Sequence, residues 1–278
     1  MREGAVRSAL MRSQPDPAAD RPSDGPREAA SSPSAVPSRS GFDYESIPPG
    51  YYDHVFHRSR GAQSKWHHLK FERVTREIAS SGRVLDIGCG PGTFVGSLDE
   101  NHSTLGVDVS GQQVAYANLR YGSPERAFHH GTVVDLPESV GEFDAVTAIE
   151  LIEHLSPEDV KDTLEAAVAR LRPGGKLVVT TPNFGGIWPI VEKALNWFGD
   201  VDYELQHTNK FTRSSLAVLI TMLGLREATV GTYLGAAPFA AALGWRVADC
   251  LAEVERQFTE PRMGLLLIGT GVKPVLGV

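Results

Sequence analysis

The segment VLDIGCGPG, residues 84–92, constrains the fold of this chain more than any other feature. Its apolar start suits a buried strand, and that strand contains Asp86. Three alternating glycines follow it, namely Gly88, Gly90 and Gly92. Glycines in such a turn let the backbone approach a ligand closely, and a helix that begins after the turn offers its free N–H groups. We therefore predict a strand, a ligand-binding loop and a helix in succession.

Strand and helix patterns alternate along the rest of the chain. Apolar runs typical of strands lie within residues 103–109, 127–136, 143–150, 176–182, 226–234 and 264–271. Helical patterns lie within residues 61–80, 110–122, 156–171 and 213–224, where Ser110 and Ser156 are predicted N-caps. Near-continuous apolar strands that alternate with helices are typical of a parallel sheet covered on both faces. The predicted fold is therefore α/β, with a Rossmann-like sheet.

Composition divides the chain into two parts. Residues 1–45 are rich in Pro, Ser, Ala, Asp and Arg, and they contain too few apolar side chains to offset the entropy of ordering. We predict that this segment is a disordered tail and that residues 46–278 form a single domain. Residues 183–212 lack a clear period, and they are interpreted as a substrate-side insertion or, alternatively, as a packed connection. The notable side chains of this insertion are Trp188, Trp197, Phe198, Tyr203 and His207.

An amphipathic pattern follows the strand predicted near residues 226–234. Its helical spacing predicts one helix that packs into the core. The alternatives are a face that covers substrate, pairs subunits or touches a membrane. The apolar positions of this helix are Phe239, Leu243, Val247, Leu251 and Val254.

Charge and cysteine content limit the classes of function. The formal net charge is −7, which disfavours a protein that coats nucleic acid, since that activity requires a basic surface. The chain has only two cysteines, so it offers no zinc site built from thiolates. The longest apolar stretch, residues 233–245, contains Pro238 and is too short to span a bilayer. We expect a cytoplasmic protein with a small-molecule partner, and the oligomeric state stays open, with a dimer compatible.

Acidic residues follow three successive predicted strands. Asp86 ends the first strand, Asp108 the second and Asp135 the third. In Rossmann-type sites the acid after the second strand accepts hydrogen bonds from ribose hydroxyls, because two carboxylate oxygens match two adjacent hydroxyls. Asp135 would accept a hydrogen bond from the amino group of adenine, and Leu136 would pack on the adenine ring. The three acids together predict a nucleoside-binding site.

Glycine spacing separates two classes of nucleoside ligand. The pattern is G-x-G-x-G, and Thr93 stands where the dinucleotide fingerprint requires its third glycine. An acid before the glycines suits a ligand with a cationic amino-acid end better than a pyrophosphate. The positions expected to line this ligand, besides the three acids, are Gly88, Cys89, Gly90, Val109, Leu136 and Ile149.

A polar cluster follows the strand predicted at residues 143–150. If a helical turn begins at Glu150, the spacing of Glu153 and His154 places all three side chains on one side. Carboxylates and imidazole are acceptable ligands for Mg²⁺, Mn²⁺ or Zn²⁺, and His207 from the insertion would complete the set. The structural alternative is that Glu150 faces the cofactor, Glu153 caps local backbone and His154 is a buried, hydrogen-bonded histidine.

Five segments together resemble the class I S-adenosylmethionine-dependent methyltransferases: VLDIGCGPG, GVDVS, VVDLP, FDAVTAIELIEHL and LRPGGKLVVTTPN. The resemblance is strongest over residues 83–182. It implies a seven-stranded, mostly parallel sheet with helices on both faces and an antiparallel last strand, which would be GLLLIGTG. It also implies that the glycine loop and Asp86 hold the methionine end of S-adenosyl-L-methionine, that Asp108 holds the ribose and that Asp135 lies near adenine.

The ExxEH motif, followed later by a histidine near a Phe-Thr pair, is similar to two O-methyltransferase branches of this family. One branch acts on ubiquinone-precursor phenols, and the other acts on the 3′-terminal ribose of small RNAs, where these positions bind a divalent metal. The resemblance implies a site of Glu150, Glu153, His154 and His207 that holds Mg²⁺ or Mn²⁺. Without metal, the candidate bases are His154 and His207.

These features predict a methyltransferase that acts on a hydroxyl of a small molecule, such as a phenol, catechol or sugar. Metal coordination or a histidine base would help the hydroxyl to lose its proton. The alternative with the same chemistry is RNA ribose 2′-O-methylation, which the acidic balance and the absence of a basic RNA module disfavour. Alternatives of another class are a nucleotide-dependent oxidoreductase, which the glycine spacing disfavours, and a non-catalytic cofactor-binding protein.

Overall fold

The computed structural model describes residues 44–198, 207–258 and 264–275. These residues belong to one compact unit. The predicted tail, residues 1–45, lies almost entirely outside the described residues. The domain boundary near residue 45 therefore stays a prediction.

Within the described residues, seven strands form one sheet in the order β3-β2-β1-β4-β5-β7-β6. Strands β1 to β5 are parallel, and β7 is antiparallel to its neighbours β5 and β6. This confirms the predicted Rossmann-like sheet and its antiparallel last strand. The strands are β1 (Arg83–Ile87), β2 (Ser103–Asp108), β3 (Arg126–His130), β4 (Phe143–Ile149), β5 (Leu171–Pro182), β6 (Arg226–Tyr233) and β7 (Leu266–Val272).

The helices begin where the predicted caps place them. Ser110 Oγ accepts a hydrogen bond from Gln113 N, and Ser156 Oγ accepts one from Asp159 N. These bonds satisfy N–H groups that have no partner within a helix. The helices are α1 (Tyr51–His57), α2 (Gly61–Ile78), α3 (Thr93–Ser97), α4 (Gly111–Tyr121), α5 (Pro157–Arg170), α6 (Trp188–Phe198), α7 (Arg213–Met222), α8 (Ala237–Ala240) and α9 (Trp245–Phe258).

Helices cover both faces of the sheet because neighbouring strand residues point in opposite directions. Val84 belongs to a buried cluster with Val74 of α2, whereas Leu85 belongs to a cluster with Leu164 of α5 and Leu216 of α7. All five side chains are fully buried. Burial of each such side chain contributes roughly 1.5–3 kcal/mol. The continuous apolar run of β1 is therefore explained by cores on two sides.

The strand order reverses between β1 and β4, and such a reversal opens a crevice at the carboxyl ends of the strands. Asp86 of β1 lies in register with Gly106 of β2 on one side and with Thr147 of β4 on the other. Residues that follow β1, β2 and β4 consequently meet at one edge of the sheet. The predicted cofactor loop and the predicted polar cluster lie at this edge.

The insertion at residues 183–212 was predicted to lack regular structure, and this prediction is wrong for part of it. Helix α6 spans Trp188–Phe198. Its helical period, in which Trp188, Val191 and Leu195 stand three and four residues apart, was overlooked in the prediction. Trp188 itself is 5% exposed. Tyr203 lies outside the described residues.

The prediction of one core helix with apolar positions from residue 239 to residue 254 is also wrong. The chain forms two helices, α8 and α9, with a break that contains Leu243 and Gly244. Ala248 and Ala252 are the buried residues of α9, whereas the predicted apolar positions Phe239, Leu243, Val247 and Val254 are exposed. The side of α9 that packs against the rest of the domain therefore carries small alanines, and its larger apolar side chains Val247 and Val254 are exposed.

Two boundaries differ from the predicted ones. Strand β5 begins at Leu171 rather than at residue 176, because Leu171 pairs with Phe143 across a register irregularity in the sheet. Helix α7 ends at Met222, before the left-handed Gly224.

Candidate active site

The loop after β1 has the left-handed backbone that its glycines predict. Gly88 has φ +71° and Gly90 has φ +50°. Residues with a Cβ atom rarely adopt such positive φ values, whereas glycine does so without strain. A Cβ atom at Gly88 would lie 2.8 Å from Leu151 Cδ1, so a larger residue would need Leu151 to move and would also strain the backbone. A Cβ atom at Gly90 would meet no protein atom within 4 Å. Gly90 thus leaves open space beside the backbone, as close approach of a ligand requires.

Asp108 is held against this loop by backbone donors. Its Oδ2 accepts a hydrogen bond from Gly90 N at 2.7 Å, and its Oδ1 accepts one from Ser110 N at 2.8 Å. Burial raises the pKa of the Asp108 carboxyl. Each oxygen keeps a further lone pair for a ligand hydroxyl. The predicted ribose acid therefore lies where β2 ends and has a fixed orientation.

Asp86 lies deeper, at the centre of the sheet. Its side chain is 2% exposed, and its Oδ1 accepts a hydrogen bond from Thr147 Oγ1 at 2.6 Å. Burial, with a smaller contribution from the negative charge of Asp108, raises the pKa of Asp86 to about 7. The group is therefore close to half protonated at neutral pH, and a cationic ligand nearby would favour its charged form.

The prediction that Asp135 ends the third strand is wrong. The strand stops at His130, and Asp135 lies in the following turn, where its side chain is exposed and accepts a hydrogen bond from Thr132 Oγ1 at 2.6 Å. Gly131, directly after the strand, adopts φ +147°. Leu136 is buried. The residues predicted to contact adenine thus lie in a loop rather than at the end of a strand.

The remaining predicted cofactor positions cluster around the same loop. Cys89 and Leu136 are buried, whereas Val109 and Ile149 are half-buried beside the ends of β2 and β4. Burial raises the pKa of the Cys89 thiol well above its usual range. Since thiolate is the reactive form, Cys89 is suited to packing rather than to nucleophilic chemistry.

Helix α1 is attached to the cofactor loop by a buried acid that the sequence analysis missed. Asp53 is 2% exposed, and it accepts hydrogen bonds from Thr93 Oγ1 at 2.9 Å and from Tyr116 Oη at 2.8 Å. Tyr121 Oη also donates to it. Asp53 therefore joins α1 to α3 and α4. A single acid within a short helix carried no periodic signal that could have indicated this role.

Glu150 was predicted to begin a helical turn, and this is wrong. Its φ of +49° is left-handed, and the helical turn spans only Ile152–His154. Glu150 N donates to Thr180 O at 3.0 Å, which holds the residue against β5. A left-handed backbone at a residue with a Cβ costs free energy, of order 1–3 kcal/mol, and is concentrated at functional sites.

Lys70 of α2 forms an ion pair with Glu150, a contact absent from the sequence analysis. Lys70 is 5% exposed. Its ammonium also lies near Asp86 and Glu153, where it lowers the pKa of both carboxyls against the larger, opposite effect of burial. Position 70 is four residues before Val74, on the apolar face of α2, and a lysine on such a face was a signal available in the sequence.

Glu153, His154 and His207 form the second part of the site. Within the described part of the chain, one ligand-type atom from each of the three lies within 4.8 Å of the others. The rings of His154 and His207 are 5.2 Å apart. The structure thus brings together three members of the predicted four-residue set, while the carboxylate of Glu150 is paired with Lys70 instead.

Glu153 has the most strongly perturbed environment of this cluster. It is 1% exposed, and its Oε2 has no hydrogen-bond partner. Burial, increased by the nearby Glu150 charge, raises the pKa of Glu153 to about 8. The carboxyl therefore carries a proton at neutral pH unless a nearby cation or hydrogen-bond donor stabilises its charged form.

His207 reaches this cluster from the insertion and is surrounded by aromatic rings. The ring centroids of Phe184 and Trp188 lie 6.0 and 6.3 Å from that of His207. Its Nδ1 lies 2.5 Å from Oε1 of Glu192 on α6. Glu192 was missed because α6 itself was not predicted. The acceptor cluster, defined as Glu153, His154 and His207, is thus built from two segments far apart in sequence.

Comparison with known proteins places this arrangement in a family. A family profile described as "Methyltransferase domain" matches residues 58–229. A "Probable S-adenosylmethionine-dependent methyltransferase" of Mycolicibacterium smegmatis is 28% identical over 204 residues, which cover 73% of this chain and 72% of that protein. A ubiquinone biosynthesis O-methyltransferase of Bradyrhizobium diazoefficiens is 37% identical over 118 residues, which cover 41% of this chain and 46% of that protein. The match therefore spans about half the length of the ubiquinone enzyme.

Solved structures share the fold at low sequence identity. A SAM-dependent methyltransferase of Thermotoga maritima aligns with a TM-score of 0.57 at 18% identity, over 80% of this chain and 94% of that one. The methyltransferase domain of bacterial CtHen1 aligns with a TM-score of 0.55 at 18% identity, over 75% of this chain and 99% of that one. These similarities confirm the fold.

The chain belongs to the methyltransferase domain family, and it is an S-adenosylmethionine-dependent methyltransferase. The predicted class of enzyme and its methyl donor are confirmed. The family match favours this class over the oxidoreductase and the non-catalytic protein considered as alternatives. No helix in the described part of the chain has the length and apolarity needed to cross a membrane.

Proposed function

We propose that this enzyme transfers the methyl group of S-adenosylmethionine to a hydroxyl oxygen of a small molecule. The observation that carries the proposal is the acceptor cluster, because it places two imidazoles, which can accept a proton, beside a buried carboxyl. It follows β4, at the same sheet edge as the glycine loop after β1. Oxygen acceptors require such help, since a neutral hydroxyl is a poor nucleophile.

The cofactor would occupy the crevice in a defined orientation. Asp108 would accept hydrogen bonds from the two ribose hydroxyls, and Asp86 with the Gly88–Gly90 backbone would hold the methionine end. Asp135 and Leu136 would lie near the adenine ring. The support for these roles is the fixed orientation of Asp108, the burial of Asp86 and the open space beside Gly90.

Methyl transfer then depends on alignment and proton removal. The acceptor oxygen forms a bond to the methyl carbon while the bond from that carbon to sulfur breaks, and the products are a methyl ether and S-adenosylhomocysteine. The acceptor proton passes to His154, our candidate base, or to His207 from the other side of the cluster. Because the sulfonium methyl is already activated, correct placement of the oxygen supplies much of the remaining rate enhancement.

A divalent metal, Mg²⁺ or Mn²⁺, fits the acceptor cluster. The fit rests on the buried, unpartnered Oε2 of Glu153 and on the close approach of His154 and His207. Glu150 would join the set only after leaving Lys70. When bound, such a metal would act as a Lewis acid that favours the deprotonated form of an acceptor hydroxyl.

The class of acceptor is supported by the similarity to enzymes named ubiquinone biosynthesis O-methyltransferase. That similarity spans about half of those enzymes, so a phenol or catechol is the first class to test, with sugars as the second. The acidic net charge of −7 favours a small molecule over RNA.

The test is a screen with radiolabelled S-adenosylmethionine against phenols, catechols, sugars, amines and RNA 3′ ends. We expect label on the oxygen of a small-molecule hydroxyl, identified by mass spectrometry of the product. Label transferred only to amines or to RNA would overturn the proposal. Assays with and without chelator, with cofactor binding measured in parallel, separate the metal from the histidine bases. Full turnover in excess chelator would exclude an essential metal.

A further inference from the structure

Helix α9 is attached to the domain by one of its faces. Ala248 and Ala252 of this face are buried. Glu255, on the same side of the helix, accepts hydrogen bonds from the three backbone N–H groups of residues 235–237. Small side chains and a carboxylate bound by backbone donors therefore hold the inner face of α9 in place.

The opposite face of α9 is apolar and exposed. Val247 and Val254 are 46% and 48% exposed, and Cys250 between them is exposed as well. These three residues, which we call the outer stripe, stand three and four positions apart, so they lie on one side of the helix. Leu243, directly before α9, is 81% exposed. Apolar side chains that are exposed together, rather than singly, are typical of an interaction surface.

Two charged residues border the outer stripe on the same flank. Arg246 precedes Val247, and Glu253 precedes Val254. They are seven positions apart, beyond the three or four positions at which side chains of one helix meet. In an antiparallel pair of helices, flank residues that precede the apolar positions face each other, so Arg246 of each copy would lie opposite Glu253 of the other. The charges on this flank are thus complementary to a second copy of the same helix.

We propose that the outer stripe is a homodimer interface in which two copies of α9 pack antiparallel about a two-fold axis. Such an axis lets one patch contact itself, and it forms the Arg246–Glu253 pair twice. Glu253 also contacts Arg256 on its own helix, and its two carboxylate oxygens can accept from both guanidinium groups. Because α9 has only 14 residues, we expect a reversible dimer whose population rises with protein concentration.

The charge of α9 fits a second copy better than a lipid surface. Helices that lie on membranes are rich in Lys and Arg on their polar face. In α9 three acids outnumber two arginines, namely Asp249, Glu253 and Glu255 against Arg246 and Arg256. The net charge of the helix is therefore negative, which opposes attachment to anionic lipid.

Sedimentation of the full chain over a concentration series tests the interface, in reducing buffer so that Cys250 forms no disulfide. We expect a monomer–dimer equilibrium in the wild type. Val247→Glu should weaken dimerisation at least about tenfold, because the interface would then bury an unpaired charge. The matched control is Val218→Glu, which alters a 58% exposed valine of α7 and should leave the equilibrium unchanged.

Charge exchange tests the antiparallel arrangement. Arg246→Glu or Glu253→Arg alone places like charges opposite each other, and each should weaken the dimer by about 3–10-fold. The double variant restores opposite charges across the interface and should recover most of the wild-type association. A double variant weaker than either single variant would overturn the antiparallel pairing.

Three other outcomes would overturn the proposal. The wild type stays monomeric at every concentration, or it dimerises and Val247→Glu dimerises equally well. In the third, monomeric protein floats with vesicles of phosphatidylcholine and phosphatidylglycerol and Val247→Glu does not, which would assign the outer stripe to a membrane. No methyl transfer is measured, so these results are independent of the proposed acceptor.

Discussion

The proposed cofactor side and the proposed acceptor side of the crevice are built in different ways. On the cofactor side, Asp86, Gly90 and Asp108 lie close in sequence, and backbone N–H groups hold Asp108. On the acceptor side, side chains from distant segments hold one another, as in the pairs Lys70–Glu150 and Glu192–His207. The cofactor side is therefore formed by residues of a local motif, whereas the acceptor side is formed by residues that only the tertiary fold brings together.

This difference predicts how each side responds to change. Backbone donors near Asp108 remain in place when a side chain is replaced. The acceptor side has buried charged groups whose partners are other side chains, and removal of one partner leaves the other without compensation. Substitutions on the acceptor side should therefore affect turnover and stability, whereas those on the cofactor side should affect affinity for the methyl donor.

The largest expected effect is on turnover. His154→Asn removes the candidate base, and we expect kcat to fall about 10²–10⁴-fold, the usual contribution of general acid–base catalysis. Calorimetric affinity for S-adenosylhomocysteine should stay within about twofold of the wild-type value, because the cofactor side is unchanged. The control is His129→Asn, which alters an exposed histidine on β3. If His154→Asn retains full kcat, the acceptor cluster does not carry the proton.

The next effect is on stability. Lys70→Met leaves the Glu150 carboxylate without its partner, and breaking a buried pair costs about 3–5 kcal/mol. We expect the lower end of that range, since Glu150 keeps 20% side-chain exposure. Urea unfolding measures the loss, and the double variant Lys70→Met with Glu150→Gln should recover part of it.

An exposed ion pair provides the comparison for Lys70. Lys161 and Glu165 on α5 lie 3.7 Å apart with both side chains exposed, so Lys161→Met should cost less than about 1 kcal/mol. A similar, small cost for both lysines would show that the Lys70–Glu150 pair adds little to the acceptor side. It would also weaken the contrast between the two halves of the crevice.

The sequence predicted the fold and the cofactor side better than the acceptor side, for physical reasons. Apolar strands and N-caps are local signals, so β1, the loop and the Ser110 cap followed from short windows of sequence. Because β1, β2 and β4 are parallel, their carboxyl ends lie at one edge of the sheet, and this edge could be predicted as the ligand site. Asp135 was misplaced because the apolar run at residues 127–136 continues beyond the end of β3 at His130.

The acceptor side depends on contacts that no short window contains. The Lys70–Glu150 pair spans 80 residues of sequence, and the Glu192–His207 pair spans 15. The left-handed backbone of Glu150 is a tertiary effect as well, since its N–H bonds to Thr180 of β5. The ExxEH motif predicted that Glu150, Glu153 and His154 lie together with His207, whereas the structure pairs Glu150 with Lys70 and groups the other three.

On the cofactor side, Asp108→Ala should weaken binding of S-adenosylhomocysteine by roughly 1–3 kcal/mol, the usual cost of lost charge-assisted hydrogen bonds. The Gly90 and Ser110 N–H groups also lose an acceptor, so the change is measured by calorimetry together with thermal unfolding. Asp162→Ala, at an exposed position of α5, is the matched control. Unchanged affinity would place the ribose elsewhere.

The last effect is a pH dependence of stability that arises from Asp86. Its folded-state pKa of about 7 exceeds the ordinary aspartate value of 3.8, so between these pH values the folded protein holds a proton that the unfolded chain lacks. Stability must then fall as pH rises through this window, by roughly 1.4 kcal/mol for each pH unit, and the fall must end above about pH 7. Asp86→Asn removes this titration while an amide oxygen still accepts the Thr147 hydroxyl.

Urea unfolding of the cofactor-free wild type and of Asp86→Asn, from pH 4.5 to 8.5, isolates the contribution of this one group. We expect the variant to gain stability relative to the wild type as pH rises to about 7, and the difference to be constant above that. Parallel curves would mean that Asp86 is ionised in the folded protein even without a ligand. A buried carboxylate that stays ionised needs a nearby donor or cation, here the Thr147 hydroxyl and the Lys70 ammonium, so the contrast between a backbone-built and a side-chain-built half would be weaker.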